Sequence, residues 1–485
     1  MKKNIGINVN ALLFIVTCSV NISFAQWIPQ SLLTQPGQSY YPEIADVNKD
    51  SIYDIISHCN PGGVWLWAGD GGYLPNWTPL DTITLPGIYT YCAAAGDFNQ
   101  DGNADLVASS WPGMYTWTGD GAANPAWTSQ ARPATVGFFI GCETADFNND
   151  GVSDIAAATS GGSGLGINVW LSDGNANPSW IRQPAPGPDT TLDYHTLEVA
   201  DVNRDGNMDI VAGHQNDNLG IKVWTGDGGP GGTVHFTAQA GPVSSGQYLN
   251  VAVGDINNDS NPDIVGAHLN TGIDVWLGDG QANPQWIPAT APAVSANIWG
   301  IALGDLNQDG NLDIVAANIS SNQVQAWFGN GGQSGGMEWT PAPAFTPTGG
   351  YEGIEIVDLN RDGDPDVIAG SWYSNGVQIW LNDLTGVLEN EHGQHYSMGN
   401  CVPNPFADRT RVAVQLRETA IVSWRVFDQL GRLVTASEPV KLAVGNHPVT
   451  WDGKDKNGLK VKSGTYFLVV RIDDRVSTKS VVLVR

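Results

Sequence analysis

The chain has 485 residues, is rich in Gly (59), Pro (28) and Trp (19), and has only 15% charged residues with a net charge of −27. This composition suits short strands joined by tight turns and excludes a helical protein, since no apolar 3.6-residue period lasts long enough for a core helix. From Gln26 to Thr385, 39 acidic residues face 6 basic ones, which excludes nucleic acid and anionic membranes as partners and favours bound cations.

The N-terminus reads as a signal peptide over residues 1–25: Lys2 and Lys3, an apolar stretch from Ala11 to Val20, then Ser23-Phe24-Ala25 as a cleavage site. The mature chain is expected to begin near Gln26 and to be secreted or held on the cell surface. No other stretch approaches the roughly 20 apolar residues of a membrane span. Cys59, Cys92, Cys142 and Cys401 remain, in no zinc or redox spacing, and their pairing is left open.

One nine-residue pattern, D-x-N-x-D-[GS]-x-x-D, recurs seven times, with first residues 51, 49, 55, 54, 50 and 53 positions apart. Ca²⁺ takes six to eight oxygen ligands, which alternating side chains on a curled loop supply. The expected ligands in the first three loops are Asp46, Asn48, Asp50 and Asp54; Asp97, Asn99, Asp101 and Asp105; and Asp146, Asn148, Asp150 and Asp154. In the fourth and fifth they are Asp201, Asn203, Asp205 and Asp209, then Asp255, Asn257, Asp259 and Asp263. The last two loops offer Asp305, Asn307, Asp309 and Asp313, then Asp358, Asn360, Asp362 and Asp366. Up to seven Ca²⁺ are therefore expected. Gly at the sixth position permits the sharp turn, so Ser51 and Ser260, which replace it, should mark weaker sites. The loops lack the twelfth-position Glu of an EF-hand, and strand-like runs such as "VAVGD" and "DIVGA" flank them.

Each unit continues with an apolar-Trp pair, a Gly/Asp/Asn turn and a second aromatic, as in "VWLGDGQANPQW" (Trp276, Trp286). That makes four strands per unit, the pattern of a β-propeller. The seventh unit has its first Trp, Trp380, but no second aromatic before the chain leaves. "QWIPQ" around Trp27 supplies the missing strand and is expected to close the ring. The fold class is all-β: a seven-bladed propeller over 26–385 closed by the N-terminal strand, then a small Ig-like β-sandwich. The repeats resemble FG-GAP or VCBS repeats, the calcium-binding propeller units of integrin α-chains and of many bacterial surface proteins. That resemblance implies the fold and calcium and leaves the ligand open.

A linker over 386–400 precedes a C-terminal module over 401–485, where alternating apolar runs read as a small antiparallel sandwich. Its "CVPNPFADRTRV", "VFDQLGR", "WDGKDKNG" and "SGTYFLVV" resemble the C-terminal sorting domain of type IX secretion cargo. The resemblance implies that the type IX machinery is a partner and that the protein reaches the medium or the outer-membrane surface.

Successive connections of an antiparallel unit lie on opposite faces. The calcium loops share one face with the GDG turns. The other collects His58, Trp111, His214, His268, Asn318 and Trp372 from one set of connections. From the second set come Tyr40, Tyr89, Phe139, Tyr194, Tyr248, Trp299 and Tyr351. Aromatic rims with polar neighbours suit sugar rings. A ligand groove is expected from Trp111, Trp372, His58, Tyr40 and Tyr41. Three residues before the loops stand Glu43, Glu143, Glu198 and Glu355, a ring near the axis that can line a water channel, hold a cation or serve as an acid/base pair. With no nucleophile elbow, zinc motif or phosphate loop, an enzyme is not expected. The reading is a glycan- or glycoprotein-binding propeller, lectin-like or adhesive. The alternatives are a structural or matrix protein without a discrete ligand, and a propeller-face polysaccharide hydrolase or lyase.

Overall fold

The computed structural model describes residues 27–485 apart from 61, 161–165, 185–192, 215–218, 230–231, 295–296, 333–335, 374, 385–395, 417–418, 429–431 and 473–474. The expected signal peptide and most of the expected linker lie outside the described residues. Among the described residues the regular elements are all β-strands, and no helix is long and apolar enough to cross a membrane.

Seven antiparallel sheets follow one another along the chain; the first six are meanders whose strand order is their sequence order, and the seventh takes its outer strand from the N-terminus. Blade one runs Pro42–Ala45, Asp54–Cys59, Gly63–Gly69 and Trp77–Pro79. The inner strands of the other six are Tyr89–Gly96, Phe139–Ala145, Tyr194–Ala200, Tyr248–Gly254, Ile298–Gly304 and Tyr351–Val357. Each touches the next, and the last touches the first, so the sheets form a closed ring. Gly353 N–H donates to Tyr40 O at 2.6 Å across that final junction.

The N-terminal strand completes blade seven as expected. Trp27 pairs with Asn382, Ile28 with Leu381 and Pro29 with Trp380. The Trp27 ring stacks on Phe345 with centroids 4.2 Å apart, and its indole N–H donates to Pro343 O at 3.0 Å.

The core lies between blades. Val47, Ile56 and Leu66 of blade one pack with Leu106, Ala108 and Trp117 of blade two, and the mixture repeats around the ring. The third-strand tryptophans Trp67, Trp117, Trp170, Trp224, Trp276, Trp327 and Trp380 are all buried. The fourth strands of blades one to six begin at Trp77, Trp127, Trp180, Phe236, Trp286 and Trp339, the second aromatics of the repeat. Gly119, which ends a third strand, shows what this packing demands: a Cβ there would lie 2.4 Å from Ala104 O and 2.9 Å from the Trp127 ring.

Beyond the propeller, a three-stranded sheet and a five-stranded sheet enclose a second core built on Phe406, Trp451, Tyr466 and Leu468. Among the described residues, Cys59, Cys92, Cys142 and Cys401 are buried thiols. Cys92 and Cys142 are neighbours on adjacent inner strands, Sγ 3.4 Å from the Cys142 carbonyl.

Candidate binding sites at the acidic loops and the channel mouth

All seven acidic loops curl around their first carboxylate. Asp50 N–H donates to Asp46 Oδ1 at 3.1 Å and to Asn48 Oδ1 at 3.0 Å. The amides of Asp101, Asp150, Asp205, Asp259, Asp309 and Asp362 repeat this pair at 3.0–3.2 Å. The next amide takes the other oxygen of the first Asp at 2.8–2.9 Å. Ser51 and Ser260 adopt φ of +66° and +69° there, the left-handed conformation their glycine counterparts hold without strain. Among the described residues, no group of three His, Cys, Asp or Glu side chains is close enough to hold a metal by itself. A loop would therefore use its Asn and backbone carbonyls as well. That all-oxygen, largely anionic donor set fits Ca²⁺.

The ninth residue has a second task that the sequence reading missed. Asp105 Oδ2 accepts Phe98 N–H at 2.9 Å and its Oδ1 accepts Gly119 N–H from the third strand at 3.0 Å. Asp54, Asp154, Asp209, Asp263, Asp313 and Asp366 make the same two bonds. Each is fully buried and braces the loop to the sheet, while each oxygen keeps a second lone pair for a cation.

The opposite face is organised by one backbone irregularity. Six inner strands shift register against their neighbour at the sixth residue before the loop, between Thr90 and Cys92, Phe139 and Gly141, Tyr194 and Leu197, Tyr248 and Asn250, Ile298 and Gly300, and Tyr351 and Ile354. A bulge breaks the two-residue alternation and re-aims the extra side chain. Phe139, Tyr194, Tyr248 and Tyr351, just before it, stay in the core, edge-on to Trp170, Trp224, Trp276 and Trp380 at 5.1–5.7 Å. At the bulge itself Tyr91, Ile140, His195, Trp299 and Glu352 turn to the channel mouth. With Tyr40 at the same repeat position, and with Tyr41, Phe138, Ser160 and Trp372, they line a cavity of about 240 Å³.

Its rings are ordered against one another. Trp372 stacks on Trp299 at 5.6 Å and on Tyr373 at 5.4 Å, and Tyr40 lies nearly parallel to Tyr91 at 6.3 Å. Its polar groups form a chain. Tyr41 Oη is 3.1 Å from His195 Nδ1 and also lies near enough to the Glu352 carboxyl to favour its charged form. Burial nonetheless pushes Glu352 up to about 8 and holds His195 down at about 4. Near neutral pH the His195–Tyr41–Glu352 chain is therefore largely uncharged.

Of the residues expected to form the ligand groove, Tyr40, Tyr41 and Trp372 meet in this cavity. His58 does not reach it: fully buried, it accepts Tyr40 N–H at its Nε2 (3.0 Å) and stacks on the Tyr40 ring at 5.2 Å, so it supports Tyr40 from below. Trp111 is 58% exposed and lies across from Tyr89, outside the cavity lining. It ends the strand Asp105–Trp111 in a tight turn, whereas the matching strand of blade seven stops at Ser371 and leaves Trp372 free to turn inward. The two do not flank one groove. Glu352 was not foreseen. Reading the repeats down the sixth position before each loop (Tyr40, Tyr91, Ile140, His195, Leu249, Trp299, Glu352) would have exposed it.

Deeper in the channel, Glu43, Glu143, Glu198 and Glu355 converge on a cavity of about 320 Å³, the ring expected from their spacing. Burial in the channel and repulsion between carboxylates push Glu43 and Glu143 well above the usual carboxylate range.

Residues 46–108, 146–212, 201–266, 255–316 and 305–369 match the family model described as FG-GAP-like repeat, and 400–474 match the FlgD Ig-like domain. No curated protein matches the sequence significantly. The chain is similar to the structure of BBS1N in complex with ARL6DN soaked with lead, at 8% identity over 75% of this chain and 98% of that one, with a TM-score of 0.50. Its mercury-soaked counterpart gives 10% identity, 74% and 98% coverage and a TM-score of 0.47. PorZ, described as an essential bacterial surface component of the type IX secretion system of Porphyromonas gingivalis, gives 12% identity, 94% of this chain, 61% of that one and a TM-score of 0.46. At such identities the first likeness speaks for the fold alone, and the other two carry no argument.

Proposed function

Because this chain belongs to the FG-GAP-like repeat family, matched over more than half its length, we propose that it is an exported, calcium-binding β-propeller that binds a glycan, free or on a surface glycoprotein, at its channel mouth. The observation that carries this reading is the set of bulges that turn Tyr91, His195, Trp299 and Glu352 into one cavity beside Tyr40 and Trp372. Flat rings take the apolar face of a sugar, each stack worth roughly 0.5–1.5 kcal/mol beyond area. The His195–Tyr41–Glu352 chain offers hydroxyls an uncharged set of donors and acceptors.

Calcium would act at a distance. Held by the first, third, fifth and ninth residues of each loop, it neutralises carboxylates on the far face and stiffens the turns that fix the inner strands. Export is supported by the signal-peptide pattern, and type IX sorting by the C-terminal motifs, on a module that matches an Ig-like domain. A hydrolase is the weaker reading. Glycoside hydrolysis ordinarily uses two carboxyl groups across the scissile bond, and Glu352 is the single carboxyl among the described residues lining the cavity.

A glycan array probed with the calcium-loaded protein tests the proposal, followed by calorimetry on the Trp299→Ala and Trp372→Ala variants. A retained glycan whose affinity falls about tenfold in either variant supports it. An array that retains nothing, with the protein folded and calcium present, overturns it.

A further inference from the structure

We propose that the mouth selects a sugar bearing a protonated amine, with Glu352 as its counter-ion. The inference rests on the glycan reading above and names the class of sugar.

Glu352 is only 4% exposed, and its Oε2 is buried with no hydrogen-bond partner among the described residues. A buried carboxyl oxygen without a partner is rare in a folded protein and invites a ligand group to complete it. Tyr41 engages the same side chain but brings no charge. Among the described residues lining the cavity there is no Lys or Arg, and His195, kept neutral by burial, already faces Tyr41. No Lys or Arg in the lining can hold Glu352 in its charged form, so a cation that does so has to come from the ligand.

The rest of the cavity suits one. Tyr40, Tyr91, Phe138, Trp299 and Trp372 line it, and the negative faces of such rings attract ammonium groups. The acidic propeller body raises the local concentration of cations around the mouth. A bound ammonium would favour the Glu352 carboxylate, reversing the effect of burial. A neutral sugar would stack on the same rings but could not hold the carboxyl in its charged form, and a uronic acid would be repelled by the acidic propeller body.

The test is calorimetry of the full-length, calcium-loaded protein at 0.15 M salt. The probes are three β-1,4-linked hexamers, of glucosamine, N-acetylglucosamine and glucose. The glucosamine hexamer is expected to bind at least tenfold more tightly than the glucose hexamer, and Glu352→Gln to bring the two within about twofold. Trp372→Ala should weaken both. A glucosamine preference that survives in Glu352→Gln overturns the inference, because the polycation is then held elsewhere on the acidic body. Equal affinities in the unmodified protein also overturn it and leave the glycan reading standing. If none of the hexamers binds and the array retains no sugar, both readings fall. A failure of all three hexamers with another glycan retained on the array removes the amine alone.

Discussion

Tyr41 and His195 meet across the channel mouth, Oη 3.1 Å from Nδ1, although they come from blades one and four. Tyr41 also interacts electrostatically with Glu352 of blade seven, so one hydroxyl faces groups from two other blades at the proposed ligand site. Removing it should be felt in both stability and electrostatics. Tyr41→Phe is expected to cost about 1–3 kcal/mol, since buried polar groups lose a partner, and to raise the Glu352 pKa further because the lost hydroxyl favours the carboxylate. Urea melts and an NMR titration of the carboxyl check the two effects. An unchanged titration would mean that Tyr41 does not hold Glu352.

The ninth loop residue should behave as a brace whether or not calcium is bound. Asp105→Ala strands the buried amides of Phe98 and Gly119 and is expected to cost on the order of 2–5 kcal/mol, even with a chelator present. Asp101→Ala, at an exposed loop position, should matter mainly when calcium is available. Melting both variants with and without EDTA separates the roles. Equal losses for the two in EDTA would remove the brace.

The sequence discloses the fold because its signals are local and repeated. The acidic loops mark the first turn of each blade, the paired aromatics mark the third and fourth strands, and Trp27 fills the one gap in that series. The Asp105 brace was hidden because its second donor, Gly119, comes from a strand the loop meets only after the sheet has formed. The mouth was hidden by geometry of another kind. Simple alternation puts Tyr194 and His195 on opposite faces but cannot say which faces the axis. The bulge between Tyr194 and Leu197 decides it, sending the aromatic into the core and the histidine to the cavity. Trp111 and Trp372 share a repeat position, yet a one-residue difference in where their strands end separates them.

Ser51 and Ser260 occupy left-handed backbone at φ +66° and +69°. An L-residue held there costs roughly 1–2 kcal/mol, which glycine avoids, although glycine also loses more entropy on folding. Ser51→Gly and Ser260→Gly are each expected to raise stability by about 0.5–1 kcal/mol and to tighten calcium binding at their loops. Titration calorimetry with Ca²⁺, alongside thermal melts, checks this. Lower stability in both variants would show that the serines are not strained.

Closure of the ring by the N-terminal strand predicts an asymmetric response to truncation. Deleting residues 26–31 removes Trp27 and its ladder with Asn382 and Leu381, exposing the edge of blade seven. Loss of a buried Trp alone costs about 3–5 kcal/mol. Removing residues 401–485 should leave the propeller melting nearly unchanged while abolishing delivery to the surface or medium. A 26–31 deletion that melts like the intact chain would overturn the closure.

The last prediction concerns pH. The Glu352 pKa is about 8 in the fold, against an ordinary value of 4.5. Between those values the folded chain holds a proton that the unfolded chain has released, so stability falls as pH rises through this window. His195, held at about 4, acts in the opposite sense and removes stability as pH drops below 6.5. Glu352→Gln abolishes only the first effect. Glu198, whose pKa is also about 8, titrates in both proteins and largely cancels in the comparison. The variant's stability relative to the unmodified chain is therefore expected to climb between pH 5 and 9, by on the order of a few kcal/mol. Urea unfolding at several pH values measures the climb. A difference that stays flat across that range would show that Glu352 titrates as an ordinary solvated carboxyl, and the uncharged mouth would then be wrong.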